Sequence, residues 1–274
     1  MTSTLTQPFH FFEGTTPLLI SIPHVGTDLP PEVEAGLSDA ARPLPDTDWH
    51  LTRLYDFAGA LGASVLGARY SRFTIDLNRP PDDKPLYATA TTGLYPDILF
   101  DGTPAFKPGA APNAERRAYY LSEIWRPYHE KIADELKRIK EHFGYAVLFD
   151  AHSIRGHIPR LFEGELPDFN IGTNEGKSAA SDLTARLDDV CSAPGYRRIV
   201  NGRFKGGYIT RSYGDPANGV HAVQLELAQR TYMREALPFD YIEAQAEKVR
   251  PVLRRFVETL IGWKPRADRP GAGS

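Results

Sequence analysis

The chain has 274 residues, of which 41% are hydrophobic and 24% are charged, and these ordinary values exclude wholesale disorder. Its formal net charge of −3 excludes the overall basic balance that is expected of a nucleic-acid-binding protein. The single cysteine, Cys191, excludes an intrachain disulfide framework and a cysteine-cluster metal site, and we interpret it as an inert thiol.

Short apolar runs that are bounded by turn residues predict buried strands. In chain order these runs cover residues 17–23, 64–70, 73–76, 145–150, 197–201 and 222–227. Apolar residues at helical spacing predict helices over residues 51–61, 121–139, 183–190 and 242–260. The first helix has Asp46 and Thr47 as candidate caps, and the second is expected to bend or restart at Pro127.

Strands that alternate with helices indicate a mostly parallel mixed sheet with both faces covered. We therefore predict a single three-layer α/β/α domain over residues 1–263, followed by a disordered tail over residues 264–274. No apolar run approaches the roughly 18 residues of a membrane span. Residues 1–10 also lack the basic and apolar regions of a secretory signal. The pattern predicts a cytoplasmic protein with no membrane partner.

Two histidines and a carboxylate stand at or near the ends of predicted strands. His24 follows the first strand, His152 follows the strand over residues 145–150, and Glu226 lies near the end of the last strand. Because the carboxyl ends of parallel strands meet at one edge of a sheet, we expect these side chains to converge. Two histidines and one carboxylate are a ligand set of catalytic zinc sites, which keep a further position for water.

The carboxylate ligand of such a site has three candidates, Asp28, Asp46 and Asp48. Asp46 can instead cap the predicted helix that follows it. Asp48 falls in the first turn of that helix, where it can interact with the helix dipole or point at a metal. The residues alone leave this choice open.

Glu226 is the predicted general base. An acid between Leu225 and Leu227 in an apolar strand is costly to bury without a purpose. Beside a metal-activated water it would take a proton and later deliver it to a leaving amine. The alternation of side chains along a strand also permits Glu226 to point at solvent.

Two segments are candidates for binding a substrate. Asn78 and Arg79 follow the predicted strand over residues 73–76, and the arginine fork suits a carboxylate because it forms two parallel hydrogen bonds. Residues 206–211 read Gly-Gly-Tyr-Ile-Thr-Arg. Their glycines permit close approach of the backbone to a ligand, although an ordinary turn explains the pair equally well.

Five motifs occur in a fixed order, and together they resemble one family. They are Ser-Ile-Pro-His-Val-Gly at residues 21–26, Asp-Thr-Asp at 46–48, Asp-Leu-Asn-Arg-Pro at 76–80, Asp-Ala-His-Ser at 150–153 and Gln-Leu-Glu at 224–226. This set resembles the N-formylglutamate amidohydrolase, or deformylase, family over about residues 15–260. The Asp-Leu-Asn-Arg string and the late glutamate also resemble the wider zinc carboxypeptidase and aspartoacylase superfamily.

The resemblance implies a single α/β domain of the phosphorylase/hydrolase-like type. It also implies that Asn78 and Arg79 hold the glutamate moiety of the substrate and that Glu226 activates water. The superfamily carries a His-x-x-Glu pair, whereas Thr27 stands three residues after His24 in this chain. The carboxylate ligand must therefore come from elsewhere, and we favour Asp48 over Asp46.

From this resemblance we predict a hydrolase that converts N-formyl-L-glutamate and water into L-glutamate and formate, as in histidine degradation. Zinc or another divalent metal would be bound by His24, Asp48 and His152. Arg72 would stabilise the tetrahedral intermediate. The expected substrate-binding residues are Asn78, Arg79, Gly207 and Arg211.

Other functions remain compatible with the sequence. The nearest are hydrolysis of another N-acyl amino acid and a carboxypeptidase-like peptidase activity, and a more distant one is a metal-free binding protein on the same fold. The expected partner is a small molecule and not a nucleic acid. The sequence leaves the identity of the metal and the oligomeric state open.

Overall fold

The computed structural model describes residues 5–85 and 92–265. Within them, apolar segments pair into a seven-stranded mixed sheet. In chain order the strands are β1 Phe9–Phe12, β2 Leu18–Ile22, β3 Ser64–Ala68, β4 Ala146–Ile154, β5 Phe169–Gly172, β6 Arg198–Val200 and β7 Val220–Ala228. Their order across the sheet is β1-β3-β2-β4-β7-β5-β6.

The centre of the sheet is parallel and its edges are mixed. Strand β2 pairs in parallel with β3 and β4, and β4 pairs in parallel with β7. Strand β1 is antiparallel to β3, β5 is antiparallel to β7, and β6 is parallel to β5. Every residue of β2 and β4 is buried, as expected of strands that are covered on both faces. The predicted fold class is confirmed.

Helices lie on both faces of this sheet. In chain order they are α1 Pro31–Gly36, α2 Leu51–Leu54, α3 Ala114–Tyr120, α4 Arg126–Phe143, α5 Ser181–Val190, α6 Tyr208–Tyr213 and α7 Glu243–Gly262. A π-helical turn, Leu121–Trp125, joins α3 to α4. The restart expected at Pro127 is confirmed, because α4 begins at Arg126 and has Pro127 in its first turn, where a missing N–H is tolerated.

Alternate residues of β4 enter two apolar cores, one on each face of the sheet. Val147 and Phe149 belong to the core that contains residues of α5 and α7. Ala146 and Leu148 belong to the core that contains residues of α4. This period of two is the one that a pleated strand imposes. The two cores hold the central strands between helical layers. The carboxyl-terminal edge of these strands is thereby held in place as well.

The predicted strand over residues 73–76 is wrong, since the chain turns there soon after β3. The backbone N–H of Thr74 bonds back to Ser71 O at 2.9 Å, and that of Asp76 donates to Leu94 O at 2.8 Å. The segment is buried throughout. The apolar composition of this segment therefore indicates that it is buried and does not indicate that it pairs as a strand.

The predicted helix over residues 51–61 is also shorter than expected. It consists of α2 and, after an intervening turn, the 3-10 turn Gly59–Leu61. The predicted capping by Asp46 and Thr47 is wrong. The residue before α2 is His50, which has a φ of 63° and makes no side-chain capping bond.

The last helix, α7, ends at Gly262 and is followed by the buried Trp263. The tail predicted over residues 264–274 falls mainly on residues 266–274, which lie outside the described residues. The extent of the domain, residues 1–263, stays a prediction. Over residues 5–85 and 92–265, no helix is both long and apolar enough to cross a membrane.

Candidate metal centre and substrate cavity

The three central parallel strands bring the predicted catalytic residues to one edge of the sheet. His24 lies two residues after the end of β2. Strand β4 continues through His152, which pairs directly with Glu226 of β7. All three side chains are buried. The convergence expected from parallel strand ends is therefore present.

His24, Asp48 and His152 form a buried group that could hold a metal ion. One ligand atom from each residue lies within 4.8 Å of those of the other two. Asp48 Oδ2 is 3.1 Å from His152 Nδ1 and 3.9 Å from His24 Nδ1. The backbone N–H of Asp48 donates to His24 O at 3.0 Å, which fixes the two segments together. Two histidines and one carboxylate are the donor set of catalytic zinc sites.

The two alternative carboxylates are engaged elsewhere. Asp46 is buried, and its carboxylate accepts hydrogen bonds from the Phe100 N–H at 2.7 Å and from Arg155 at 3.0 Å. Asp28 is exposed and forms an ion pair with Arg69 at 2.7 Å. Neither belongs to the group that contains the two histidines.

A second carboxylate stands behind each histidine of this group. His24 Nε2 donates to Asp76 Oδ1 at 2.7 Å, and His152 Nε2 lies 3.0 Å from Asp150 Oδ1. The hydrogen bond to Asp76 orients the His24 imidazole and keeps its proton on Nε2, which leaves Nδ1 of His24 for a metal. His152 differs, because Asp150 Oδ1 makes no hydrogen bond to a described residue. Nδ1 of His152 lies 3.1 Å from Asp48 Oδ2.

Burial and the neighbouring charges shift the pKa values of these residues in opposite directions. Burial lowers the pKa of His24 despite the nearby Asp76 carboxylate. Although burial acts in the other direction, His24 and Arg72 hold the pKa of Asp76 well below its usual value. Similarly, Asp150 and Asp48 raise the pKa of His152 well above its usual value against the effect of burial.

Glu226 differs from these carboxylates in its surroundings. It is 7% exposed and lines a cavity next to the histidines, and its carboxylate makes no hydrogen bond to a described residue. Burial raises the pKa of Glu226 to about 8. A carboxyl group with a pKa near neutrality, placed in a cleft, is suited to accept and return a proton.

Arg72 lies beside the metal group and lines the same cavity. Its guanidinium donates to Asp76 Oδ2 at 2.6 Å and to Asp46 O at 3.2 Å. It also lies 4.6 Å from the centre of the Phe100 ring. These contacts hold a positive charge at a fixed place beside the group formed by His24, Asp48 and His152.

The centres of water molecules can occupy about 70 Å³ of the cavity, so the cavity has room for several waters. Every predicted site residue except Arg211 lines it. Arg211 lies in α6 and donates from Nε to Gly206 O at 2.7 Å. This bond ties Arg211 to the loop that precedes α6, and the predicted contact of Arg211 with the substrate stays a prediction.

Asn78 and Gly207 meet at the base of this cavity. Asn78 Oδ1 accepts the Ile209 N–H at 2.8 Å, and Nδ2 donates to Asp150 Oδ2 at 3.3 Å and lies 2.9 Å from His152 Nε2. A Cβ at position 207 would lie 2.4 Å from Asn78 Nδ2, so only glycine fits there. Asn78 thereby joins α6 to the metal group.

Arg79 follows Asn78 and faces the cavity from a fixed position. Its guanidinium donates to Thr92 O at 2.7 Å and to Asn78 O at 2.9 Å. Arg203, from the loop between β6 and α6, lines the same cavity and donates from Nε to Leu161 O at 2.6 Å. Both arginines thus place cationic groups in the lining of the cavity.

The sequence interpretation missed Arg203 and Gln224, which also line the cavity. Arg203 stands in a loop without a distinguishing pattern. Gln224, in contrast, precedes Glu226 by two residues on β7, and the alternation of a strand places both on one face. That signal was present in the sequence.

Cys191 lies outside the lining of this cavity. It is a buried free thiol, whose pKa burial raises to about 12.

Comparisons with known proteins show the family to which the chain is similar. A family model described as N-formylglutamate amidohydrolase matches residues 16–233. The chain is 62% identical over 260 residues to an N-formylglutamate deformylase of Pseudomonas aeruginosa, covering 94% of this chain and 98% of that protein. A second such protein, from Pseudomonas putida, is 60% identical over 254 residues and covers 92% and 95% of the two chains.

A solved structure shares the fold. The crystal structure of an N-formylglutamate amidohydrolase from Ralstonia eutropha JMP134 superposes with a TM-score of 0.79 at 21% identity. The match covers 93% of this chain and 99% of that chain. At this identity the likeness concerns the fold, which supports one α/β arrangement across nearly the whole length.

Proposed function

The chain belongs to the N-formylglutamate amidohydrolase family and hydrolyses the amide bond of N-formyl-L-glutamate, and we propose that it does so with a divalent metal bound by His24, Asp48 and His152. The observation that carries this proposal is the position of that buried group beside the unpaired Glu226 carboxylate in one cavity. The donor set favours zinc.

A divalent ion held by these three residues would supply Lewis-acid chemistry, which would polarise the formyl carbonyl and make water more acidic. Glu226 takes a proton from the attacking water and then delivers it to the glutamate nitrogen. The C–N bond breaks as that nitrogen is protonated, and the products are formate and L-glutamate.

The arginines of the cavity supply the remaining charge. Arg72, held by Asp76, stabilises the negative charge that develops on the formyl oxygen during attack. Arg79 binds a substrate carboxylate, and Asn78 fixes its place through the adjoining backbone. Gly207 gives the substrate room next to Asn78, while Arg211 supports that loop through Gly206 O.

Two substitutions test this mechanism. Glu226→Gln should lower kcat by on the order of 10²–10⁴-fold, with metal still bound at the wild-type ratio. Asp48→Ala should lose both the metal and the turnover, because it removes the carboxylate ligand. Formate release from N-formyl-L-glutamate and the metal content of the purified protein are the two measurements.

The outcomes separate the two parts of the proposal. Wild-type turnover in Glu226→Gln would overturn the assignment of the base, and full metal content in Asp48→Ala would overturn the ligand set. The cytoplasmic location, the absence of a nucleic-acid partner and the role in histidine degradation stay predictions.

A further inference from the structure

Gln224 is a buried polar residue of the cavity for which the mechanism has no use. It lies on β7, where it pairs with Asp150 of β4 and with Gly172 of β5. It is 3% exposed and lines the cavity. Strand alternation places its side chain on the same face as Glu226, two residues further along.

One hydrogen bond sets the orientation of the Gln224 amide. Oε1 accepts the backbone N–H of Gly207 at 2.6 Å. A backbone N–H can only donate, so the amide oxygen and not the amide nitrogen must face Gly207. Nε2 therefore points away from Gly207, and it makes no hydrogen bond to a described residue.

The NH₂ group can only donate. Gln224 lines the cavity, so an acceptor that enters the cavity with the substrate can form the hydrogen bond that no described residue provides. In N-formylglutamate the candidates are the formyl oxygen and the two carboxylates.

Distance selects among these acceptors. Two residues along a strand separate Gln224 from Glu226 by roughly 7 Å, and the formyl carbon must lie near Glu226 for proton transfer. The α-carboxylate carbon is three bonds from the formyl carbon, whereas the side-chain carboxylate carbon is five bonds away. At about 1.5 Å per bond, the side-chain carboxylate extends roughly 3 Å further from the formyl carbon than the α-carboxylate does, which favours it as the acceptor for Gln224.

We propose that Gln224 is a specificity-determining residue, whose Nε2 donates to the side-chain carboxylate of the formylated amino acid. This inference rests on the proposed function, because it takes the position of the reacting formyl group from Glu226. Arg203, which lines the same cavity, adds positive charge to this subsite. A neutral carboxamide side chain would present its own NH₂ or a weaker acceptor to Gln224.

An exchange of donor for acceptor tests the proposal. Gln224→Glu keeps an oxygen for Gly207 and replaces the NH₂ with a second oxygen. It should lower kcat/KM for N-formyl-L-glutamate on the order of 100-fold, mainly through KM, because two carboxylates then face each other. For N-formyl-L-glutamine, kcat/KM should rise by about tenfold, because that side chain can donate to the new carboxylate.

Gln224→Met removes both polar atoms and serves as the second variant. It should lower kcat/KM for N-formyl-L-glutamate by about tenfold and bring no gain for N-formyl-L-glutamine. Gln229→Met is the matched control. Gln229 is a buried glutamine whose Nε2 already donates to Thr47 O at 3.0 Å, so its replacement should leave the ratio of the two substrates unchanged.

An unchanged ratio of kcat/KM for the two substrates in metal-loaded Gln224→Glu would overturn the proposal. If that variant does not fold, an equal loss for both substrates in Gln224→Met overturns it instead. A wild-type protein that contains metal but releases no formate from N-formyl-L-glutamate would contradict the proposed function itself. The two failures are therefore distinguishable.

Discussion

Asp76 links three parts of the site through one carboxylate. Its Oδ1 accepts hydrogen bonds from His24 Nε2 at 2.7 Å and from the Asn78 N–H at 2.8 Å. Its Oδ2 accepts from Arg72 at 2.6 Å. This fully buried carboxylate orients His24, a proposed metal ligand, holds Arg72 in place and precedes the Asn78–Arg79 segment.

Asp76→Asn should weaken metal binding by about 10- to 100-fold, because the neutral amide orients His24 less well and removes its charge partner. Thermal stability should also fall, since Arg72 is left buried without its counter-charge. Competition with a chelator of known affinity measures the first effect. Metal binding as tight as in the wild type would show that Asp76 does not act through His24.

The sequence could predict the residues whose position follows from strand ends. His24, His152 and Glu226 stand there, and parallel pairing alone brings them together. The choice of Asp48 over Asp46 depends instead on where the loop after β2 packs, since only the folded chain shows Asp46 bound to Phe100 and Arg155. The orientation of Arg211 toward Gly206 O is set by α6, which no sequence pattern predicted.

At the scale of elements, the π-helical turn and α4 hold the backbone of the Asn78–Arg79 segment, which we propose binds the substrate. Trp125, the last residue of the π turn, donates from Nε1 to Arg79 O at 3.0 Å. His129 of α4 lies with Nε2 2.9 Å from Leu77 O, and its ring stacks on Trp125 with centroids 3.8 Å apart. Burial lowers the pKa of His129 to about 4, so the neutral ring donates through Nε2.

This arrangement fixes the carbonyl groups on both sides of Asn78. Trp125→Phe removes one of the two hydrogen bonds and should raise KM for N-formyl-L-glutamate several-fold, in line with about 1 kcal/mol for one hydrogen bond. The value of kcat should change little, because the metal group and Glu226 are untouched. Steady-state kinetics measure the split between KM and kcat.

Tyr145→Phe is the control for a general loss of stability. Tyr145 is buried and donates to Trp263 O at 2.8 Å, at the amino-terminal end of β4, opposite to the site. This variant should lose stability by a comparable amount without a change in KM. Equal effects of both variants on KM would refute a positioning role for Trp125.

The elements themselves were predictable where a long periodic pattern existed. The core strands β2, β4 and β7 and the helices α4, α5 and α7 follow from buried apolar runs and helical spacing. The four-residue strands β1 and β5 and the six-residue helix α6 are too short to carry a period. The turn at residues 73–76 was misread because burial on all sides produces the same composition in a turn and in a strand.

At the scale of the whole molecule, the charge of the chain and the charge of its cavity differ. The net charge is −3, and the substrate is a dianion. The cavity nevertheless contains three arginines, Arg72, Arg79 and Arg203, against the two acids Asp48 and Glu226, and the proposed metal would add further positive charge. Within a cleft, such local charge dominates the potential that a small ligand meets.

The dependence of kcat/KM on salt concentration distinguishes the effect of the cavity charge from that of the net charge of the chain. If the cavity governs association, kcat/KM for N-formyl-L-glutamate should fall on the order of threefold between about 0.02 M and 0.3 M NaCl, because salt screens attraction. If the net charge governed it, salt would screen repulsion and kcat/KM would rise. The monoanion N-formyl-L-glutamine, measured in parallel, should show a smaller fall. Its slope separates charge screening from a general effect of salt on the enzyme, since such an effect would act equally on both substrates.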